Sequence, residues 1–563
     1  MTPVTIGSMA ARYYPASGGR AVLVCPPWGV EGLAATKSLR LLAERLAEAG
    51  HPCLVFDPRG SGHSLDQPGE LIANWTEDVE AAAAALANMS GTREIVLIGM
   101  RLSAIPILMA AQKINGLVGV VLISPVASGR LHARELATTA RMMAEAALFD
   151  PDETQTEYGL EVAGFPISAS TLERLKTVDA KTLPAPDVPV LILHGTQSVD
   201  AAALATAWTG RPVKIIEAVA LDRLSINPTR AETPHSAWSE IVLWLGQTLP
   251  TAPQTSNGGT FQIGLLQASD FSEEGLTFGR CQNLFGVLCT PSSPQSSRPI
   301  VILVNAGRNP SVGWARTGVR LARMLATEGI ASLRFDLAGI GESPDRPGAS
   351  DKLEDILYTE AADEDVIAAI GVAEARGYSR VGLYGACSGA FAAFRVAARD
   401  ERVNGLILVN GQRFIWREGE TLEQALATTY RVDGAIASRA FNLDAWAQVL
   451  RGEKSIRPIL STLISRTIGR LRRFAPTRDT RLVRADMARI AARGPIDLIY
   501  SVGDAGIDDM TRHFGASGTH LPGPACRITF VPDADHDMTP LPARQALSAA
   551  VLNAANRWSA ADR

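Results

Sequence analysis

The sequence predicts an α/β protein built as two tandem domains. Each is a doubly wound, mostly parallel sheet with helices on both faces and a helical cap insertion. Three observations predict this. The chain has 563 residues, more than one ordinary hydrophobic core accommodates. It repeats itself at a distance of about 280 residues, far longer than a solenoid period. Each copy alternates apolar runs with amphipathic helical patterns, and strand–helix–strand units of that kind build parallel sheets.

In the first copy, Ala21 to Cys25 reads as a core strand followed by the loop Pro26-Pro27-Trp28-Gly29. A helix ends at Gly50, and a second strand ends at Phe56 before the Gly-rich turn Asp57 to Ser64. In the second copy Val301 to Val304, the loop Asn305-Ala306-Gly307, a helix ending at Gly329, Phe335 and the turn Asp336 to Ser343 follow the same order. A third strand and turn come next, at Ile95 to Ala104 and at Val381 to Ala390. Later strands are expected at Val118 to Ser124 and Val188 to His194, and at Gly405 to Val409, Ile496 to Tyr500 and Arg527 to Phe530. Closing helices are expected over Trp238 to Leu245 and Pro542 to Ala554. The Pro-, Thr- and Gly-rich stretch 250–261 has linker composition, which divides the chain into 1–249 and 262–563. Insertions at about 126–187 and 411–493 are expected to form caps, the alternative being surface decoration; Leu422 to Leu471 carries helical periodicity.

Hydrophobic residues make up 46% and charged residues 20%, the balance of a globular protein. A net charge of −4 gives no reason to expect nucleic acid or an anionic membrane as partner. No apolar run reaches transmembrane length, and Met1 to Gly7 lacks the form of a secretory signal. The six cysteines form no C-x-x-C pair, which fits free thiols in a reducing, cytoplasmic setting. With no phosphate loop bearing Lys, no dinucleotide fingerprint and no metal-ligand cluster, no cofactor or metal is expected. Oligomeric state is not legible.

The chemistry-bearing stretch is Gly385-Ala386-Cys387-Ser388-Gly389, between an apolar strand and a small-residue helix. A G-x-C-x-G turn in that context has the form of a nucleophile elbow with cysteine in place of serine. The alternative is a buried structural thiol. The Ser388 N–H at the helix start, with Ala306 or Gly307 from the loop after the core strand, would form an oxyanion hole. Of the histidines after Cys387, His536 falls in a turn after the last strand, where a base belongs; His513 and His520 read as surface residues. Asp504 lies just past a strand end as the candidate acid, with Asp508 and Asp509 as fallbacks; otherwise Asp504 supports its own turn. A thiolate paired with imidazolium attacks esters and thioesters better than unactivated amides.

At the equivalent elbow the first half has Gly99-Met100-Arg101-Leu102-Ser103, and a guanidinium is no nucleophile. Ser103 would lie in the following helix, and Ser198 replaces the acid with Asp200 nearby. His235 lies near the position of a base. This domain is expected to be non-hydrolytic. Arg101, with His235, would either bind an anionic group or Arg101 would form an internal salt bridge in a scaffold domain.

The second half resembles the α/β-hydrolase superfamily, and within it the cysteine-nucleophile branch that includes dienelactone hydrolases, on Gly385 to Gly389, Asp504 and His536. It is similar also to bacterial hydrolases found beside exopolysaccharide and exosortase genes, on Asn305 to Arg308, Arg320 to Arg323 and Arg334 to Ser343. The first half is similar to their partner hydrolases through Gly99 to Leu102, and Asn410-Gly411 stands where relatives tend to carry Asn-Pro. The resemblance implies a Cys387–His536–Asp504 triad acting on a small-molecule ester or thioester. An acyltransferase on the same residues and a non-catalytic binding protein are the competing expectations.

Overall fold

Continuous apolar runs bounded by glycine and proline become strands buried on both faces, and their order along the chain winds two separate sheets. The computed structural model describes residues 1–146, 155–156, 159–196, 198–224, 227–249, 264–293, 298–349, 352–417, 420 and 476–560. The first unit contains β1 (Thr2–Ile6), β2 (Met9–Tyr14), β3 (Arg20–Cys25), β4 (Cys53–Phe56), β5 (Glu94–Met100) and β6 (Leu117–Ile123). It continues with β7 (Gln155–Thr156), β8 (Gly159–Val162), β9 (Phe165–Ser168), β10 (Val190–His194) and β11 (Val213–Glu217). Its main sheet has eight strands in the order β1-β2-β4-β3-β5-β6-β10-β11, parallel from β4 onward. The antiparallel leading pair β1 and β2 is not evident from periodicity, because β2 is buried at nearly every position and shows no alternation.

The second unit contains β12 (Leu265–Gln267), β13 (Phe271–Phe278), β14 (Leu284–Pro291), β15 (Ile300–Val304) and β16 (Ala331–Phe335). Then come β17 (Val381–Ala386), β18 (Val403–Val409), β19 (Ile496–Ser501) and β20 (Cys526–Val531). Its nine strands run β12-β13-β14-β16-β15-β17-β18-β19-β20, the same winding with one more antiparallel edge strand. Helices cover both faces, and the core splits accordingly into one apolar cluster on each side of each sheet. Such winding places the C-terminal ends of the parallel strands, and the loops that follow them, along one edge.

The first-unit insertion is not helical throughout. Between the helices Gly129–Ala146 and Ala169–Thr177 lies a three-stranded antiparallel sheet, β7-β8-β9. β8 and β9 alternate buried with less buried residues, a period-2 pattern too short to stand out in sequence. The helix expected within Leu422 to Leu471, and the linker 250–261, lie outside the described residues.

The two units meet through reciprocal contacts of their Gly-rich turns. Arg316 of the second unit donates from Nε to the Gly62 carbonyl of the first at 3.0 Å and pairs with Asp66. Arg40 of the first unit donates to the Gly341 carbonyl at 3.1 Å and pairs with Asp345 at 3.3 Å. At the centre the Arg12 guanidinium bridges Asp57 of its own unit, at 2.8 Å, and Glu342 of the other, at 3.0 Å. One cation between two buried carboxylates leaves Glu342 pushed up to about 7, burial being the first cause.

Candidate active site

The elbow begins where β17 runs out. Cys387 has φ +53° and ψ −118° and caps the helix Ser388–Arg399. That backbone conformation is costly for a residue with a side chain. The flanking glycines are required by contact: a Cβ on Gly385 would lie 2.2 Å from the Gly389 carbonyl oxygen, and one on Gly389 would lie 2.2 Å from that of Asn305. The Cys387 N–H donates to the Val409 carbonyl at 2.9 Å, which ties the turn to β18. The Cys387 side chain is half-buried and lines a cleft of about 440 Å³ together with Tyr358, Asp504 and His536. Thr229, on a loop of the first unit, also lines that cleft.

His536 and Asp504 come together from the loops after β20 and β19. His536 Nδ1 lies 2.6 Å from Asp504 Oδ2, and the Asp504 side chain is almost fully buried. The other Asp504 oxygen accepts from the Gly506 N–H at 2.8 Å, so the residue supports its own turn and also holds the imidazole. His536 Nε2 is buried without a hydrogen-bond partner. Burial alone would lower the His536 pKa; the Cys387 sulfur and the Asp504 carboxylate outweigh it and raise it well above the ordinary value. Asp508 is exposed, and Asp509 is turned away, accepting from the Phe414 N–H at 3.0 Å and from Arg512 at 2.6 Å.

His513 corrects a sequence expectation. It is buried, not on the surface, beside Thr480 Oγ1 at 3.2 Å and against the Phe414 ring. The helix Gly506–Phe514 turns it inward, a periodicity that the neighbouring glycines mask in sequence. His520 is exposed.

The loop after β15 closes over the elbow. The Gly307 N–H donates to Ser388 Oγ at 2.9 Å, so of the two loop donors expected from sequence one is already engaged by the residue after the cysteine. Asn305 braces the loop, donating to the Asn309 carbonyl at 2.8 Å and accepting from the Leu337 N–H at 2.9 Å. Asn410 is a structural strut that sequence reasoning noted only beside Gly411, which stands where relatives tend to carry proline. Its side chain donates to the His536 carbonyl at 2.8 Å and to Ser501 Oγ at 2.9 Å, and accepts from the Ser501 N–H at 2.8 Å. One buried amide thereby joins the ends of β18 and β19 to the loop that carries His536.

Residues 301–550 match the model of the alpha/beta hydrolase family. This part of the chain belongs to that family. No curated protein matches the chain. Solved structures resemble it at low identity. Dienelactone hydrolase from Anabaena variabilis is 14% identical, covering 51% of this chain and 97% of its own, with a TM-score of 0.31. Proline iminopeptidase from Mycobacterium smegmatis is 16% identical, covering 52% and 100%, with a TM-score of 0.33. A cold-adapted esterase from an Arctic intertidal metagenomic library is 14% identical, covering 52% and 99%, with a TM-score of 0.32.

The first unit repeats the backbone geometry of the hydrolase domain at this turn with different side chains. Arg101 has φ +54° at the same turn, but its guanidinium pairs with Glu31 at 2.7 Å and Glu135 at 2.5 Å. Glu135 also pairs with His132 at 2.8 Å, and its pKa is lowered to about 2, by the His132 hydrogen bond first. With two carboxylates on the guanidinium, the arrangement is that of an internal salt bridge; an anionic ligand would have to displace them. His235 is exposed at the start of the helix His235–Thr248. Ser103 is buried and donates to the Cys25 carbonyl at 2.9 Å; Asp200 accepts from the Ala127 N–H at 3.0 Å, and Ser198 precedes a helix without capping it. In the sheet Cys25 faces Gly99 as Val304 faces Gly385, so Pro27 occupies the position of Ala306. Proline has no N–H to offer an oxyanion.

No metal-ligating cluster exists among the described residues, and no described helix is long and apolar enough to cross a membrane.

Proposed function

We propose that the second unit hydrolyses small carboxylic esters or thioesters through a Cys387 acyl-enzyme. Cys387 Sγ, its proton held on His536 Nε2, attacks the carbonyl carbon, and the carbonyl oxygen becomes an oxyanion facing the Ser388 N–H and the Ala306 side of the loop. The carbon–oxygen or carbon–sulfur bond to the leaving group breaks as His536 returns the proton to it. That leaves a thioester on Cys387. Water then gives a proton to His536 and its oxygen to the acyl carbon, releasing the acid and regenerating the thiol. Asp504 fixes the imidazole with Nε2 toward the sulfur throughout.

The observation that carries this reading is the His536 imidazole in one cleft with Cys387, its Nδ1 fixed by Asp504 at 2.6 Å and its Nε2 buried and without another partner. A structural histidine would satisfy both nitrogens. The test is hydrolysis of p-nitrophenyl acetate and butyrate by wild type and by Cys387→Ala. Release that vanishes in the variant supports the reading; equal release from both proteins contradicts it.

A further inference from the structure

One part of the first-unit insertion stays on its own elbow through Glu135, and another grips the other unit. Its hairpin β8–β9 is rooted in the first core by Leu160, Val162, Phe165 and Ile167, all buried, with Phe165 edge-on to Trp28 at 6.4 Å. The turn of the hairpin lies against two loops of the hydrolase domain. The Trp314 Nε1–H donates to the Ala163 carbonyl at 2.9 Å. Glu161 pairs with Arg544 at 2.7 Å, and Arg544 also donates to the Thr539 carbonyl, three residues beyond His536. Thr539 in turn donates from its N–H to Asp535 Oδ1 at 2.6 Å, closing the His536 loop.

Gly164 shows how close the approach is. At φ +83°, a Cβ there would lie 2.6 Å from Arg544 Nη1, 2.7 Å from the Ala315 Cβ and 3.2 Å from the Thr539 oxygen. Ala163, Ala315 and Arg316 all hold positive φ, between +51° and +58°, on the two sides of this contact. Strained backbone of that kind persists only where surrounding contacts hold it. Trp314 and the loop that includes Asn305 and Ala306 share one apolar chamber with Cys387 and His536.

We propose that the hairpin Gly159–Ser168 is a positioning element of the Cys387 site, with Glu161, Ala163 and Gly164 of the non-hydrolytic unit setting the loops that carry Trp314 and His536. This rests on the reading of Cys387 and His536 as nucleophile and base. It gives the first unit a role: its insertion serves the neighbour's site. The pair Glu161–Arg544 has 17% and 6% side-chain exposure, so removing the carboxylate leaves a buried cation free to drag the His536 loop. Displacements of about 1 Å at a reacting centre cost rate more than binding, up to about 100-fold.

The experiment uses the full chain with Gly164→Val, Glu161→Gln, Glu161→Asp and the remote interface control Lys37→Gln. Steady-state hydrolysis of p-nitrophenyl butyrate is read beside the pH profile of Cys387 alkylation by iodoacetamide, which needs no ester turnover, and beside Tm. The expected result is a kcat lowered more than about tenfold in Gly164→Val and several-fold in Glu161→Gln, with KM within about twofold. The alkylation midpoint moves up in both, Glu161→Asp recovers most of the loss, and Lys37→Gln matches wild type. Were Gly164→Val to fail to fold, Glu161→Gln and Glu161→Asp decide alone. An unchanged alkylation profile in folded Glu161→Gln overturns the proposal, as does a fall in Tm with kcat intact. Were wild type to hydrolyse no ester, the ester reading would fail separately, and the alkylation profile would still decide the role of the hairpin.

Discussion

The elbows of the two units differ in chemistry and agree in shape. Cys387 and Arg101 hold φ of +53° and +54°, each at the end of the third core strand of its unit and at the start of a helix. Where the hydrolase domain has a thiol, an imidazole braced by Asp504 and a loop with N–H groups, the first unit has a guanidinium tied to two carboxylates and a proline at the loop position. The strained turn therefore belongs to the winding of the sheet, and the few side chains set upon it differ independently of it. The first unit keeps the expensive backbone without the thiol, and its Gly99 to Ser103 turn is stitched shut by the buried Ser103 hydroxyl, which bonds to Met100 and Cys25.

The comparison can be broken most severely at the cysteine. Cys387→Ala is expected to lower ester hydrolysis by at least about 1000-fold while Tm stays within a few degrees, measured by release kinetics and thermal melting. A loss of similar size, up to about 10⁴-fold, is expected from Asp504→Asn, because the amide removes a charge and favours the wrong imidazole tautomer. The same variant sharpens the electrostatics. In wild type the Asp504 carboxylate is one of the causes that hold the His536 pKa well above its ordinary value, so in Asp504→Asn the imidazole should titrate lower, read by NMR of the ring protons. The sign follows for stability as well: the favourable contribution of charged His536 is complete below the unfolded value near 6.5 and is lost as pH rises through the higher folded value.

Placing a thiol at the turn of the first unit tests the proposed difference between the two units directly. Arg101→Cys is expected to give no ester hydrolysis in a Cys387→Ala background, since the nearby His132 is held by Glu135 and Pro27 supplies no donor. It should also lower Tm, because Glu31 and Glu135 lose their common cation.

The smallest expected effect concerns the seam between the units. Glu342 is pushed from 4.5 up to about 7 by burial, so the folded protein holds a proton there that the unfolded chain has released. Stability should therefore fall as pH rises from about 4.5 to 7 and level off above, and Glu342→Gln should flatten that slope in urea titrations taken across the range.

Much of this was legible in sequence, for physical reasons that can be named. Strands buried on both faces, such as Ala21 to Cys25, write themselves as continuous apolar runs, and glycines forced by close contact, such as Gly385 and Gly389, mark the elbow. Asp504 and His536 were visible because they lie in short polar turns after apolar strands, and those turns bring them within 2.6 Å of each other. What stayed hidden depends on contacts between distant segments. Asn410 looked like a junction residue until its amide was seen to join β19 to the His536 loop. His513 looked exposed because the helix that buries it is short and ends in glycine. The hairpin at Gly164 could not be read at all, since its partners Arg544 and Ala315 lie in the other unit.

The central claim is that a covalent acyl group passes through Cys387. Rapid quench of the full chain with p-nitrophenyl butyrate, followed by intact mass and peptide mapping, tests it most directly. The account predicts a transient butyryl adduct on the peptide that contains Cys387, absent from Cys387→Ala and longer-lived when His536 is replaced by Ala and the enzyme is acylated at high pH. Hydrolysis that proceeds with no adduct, or with an adduct on another residue, would contradict it.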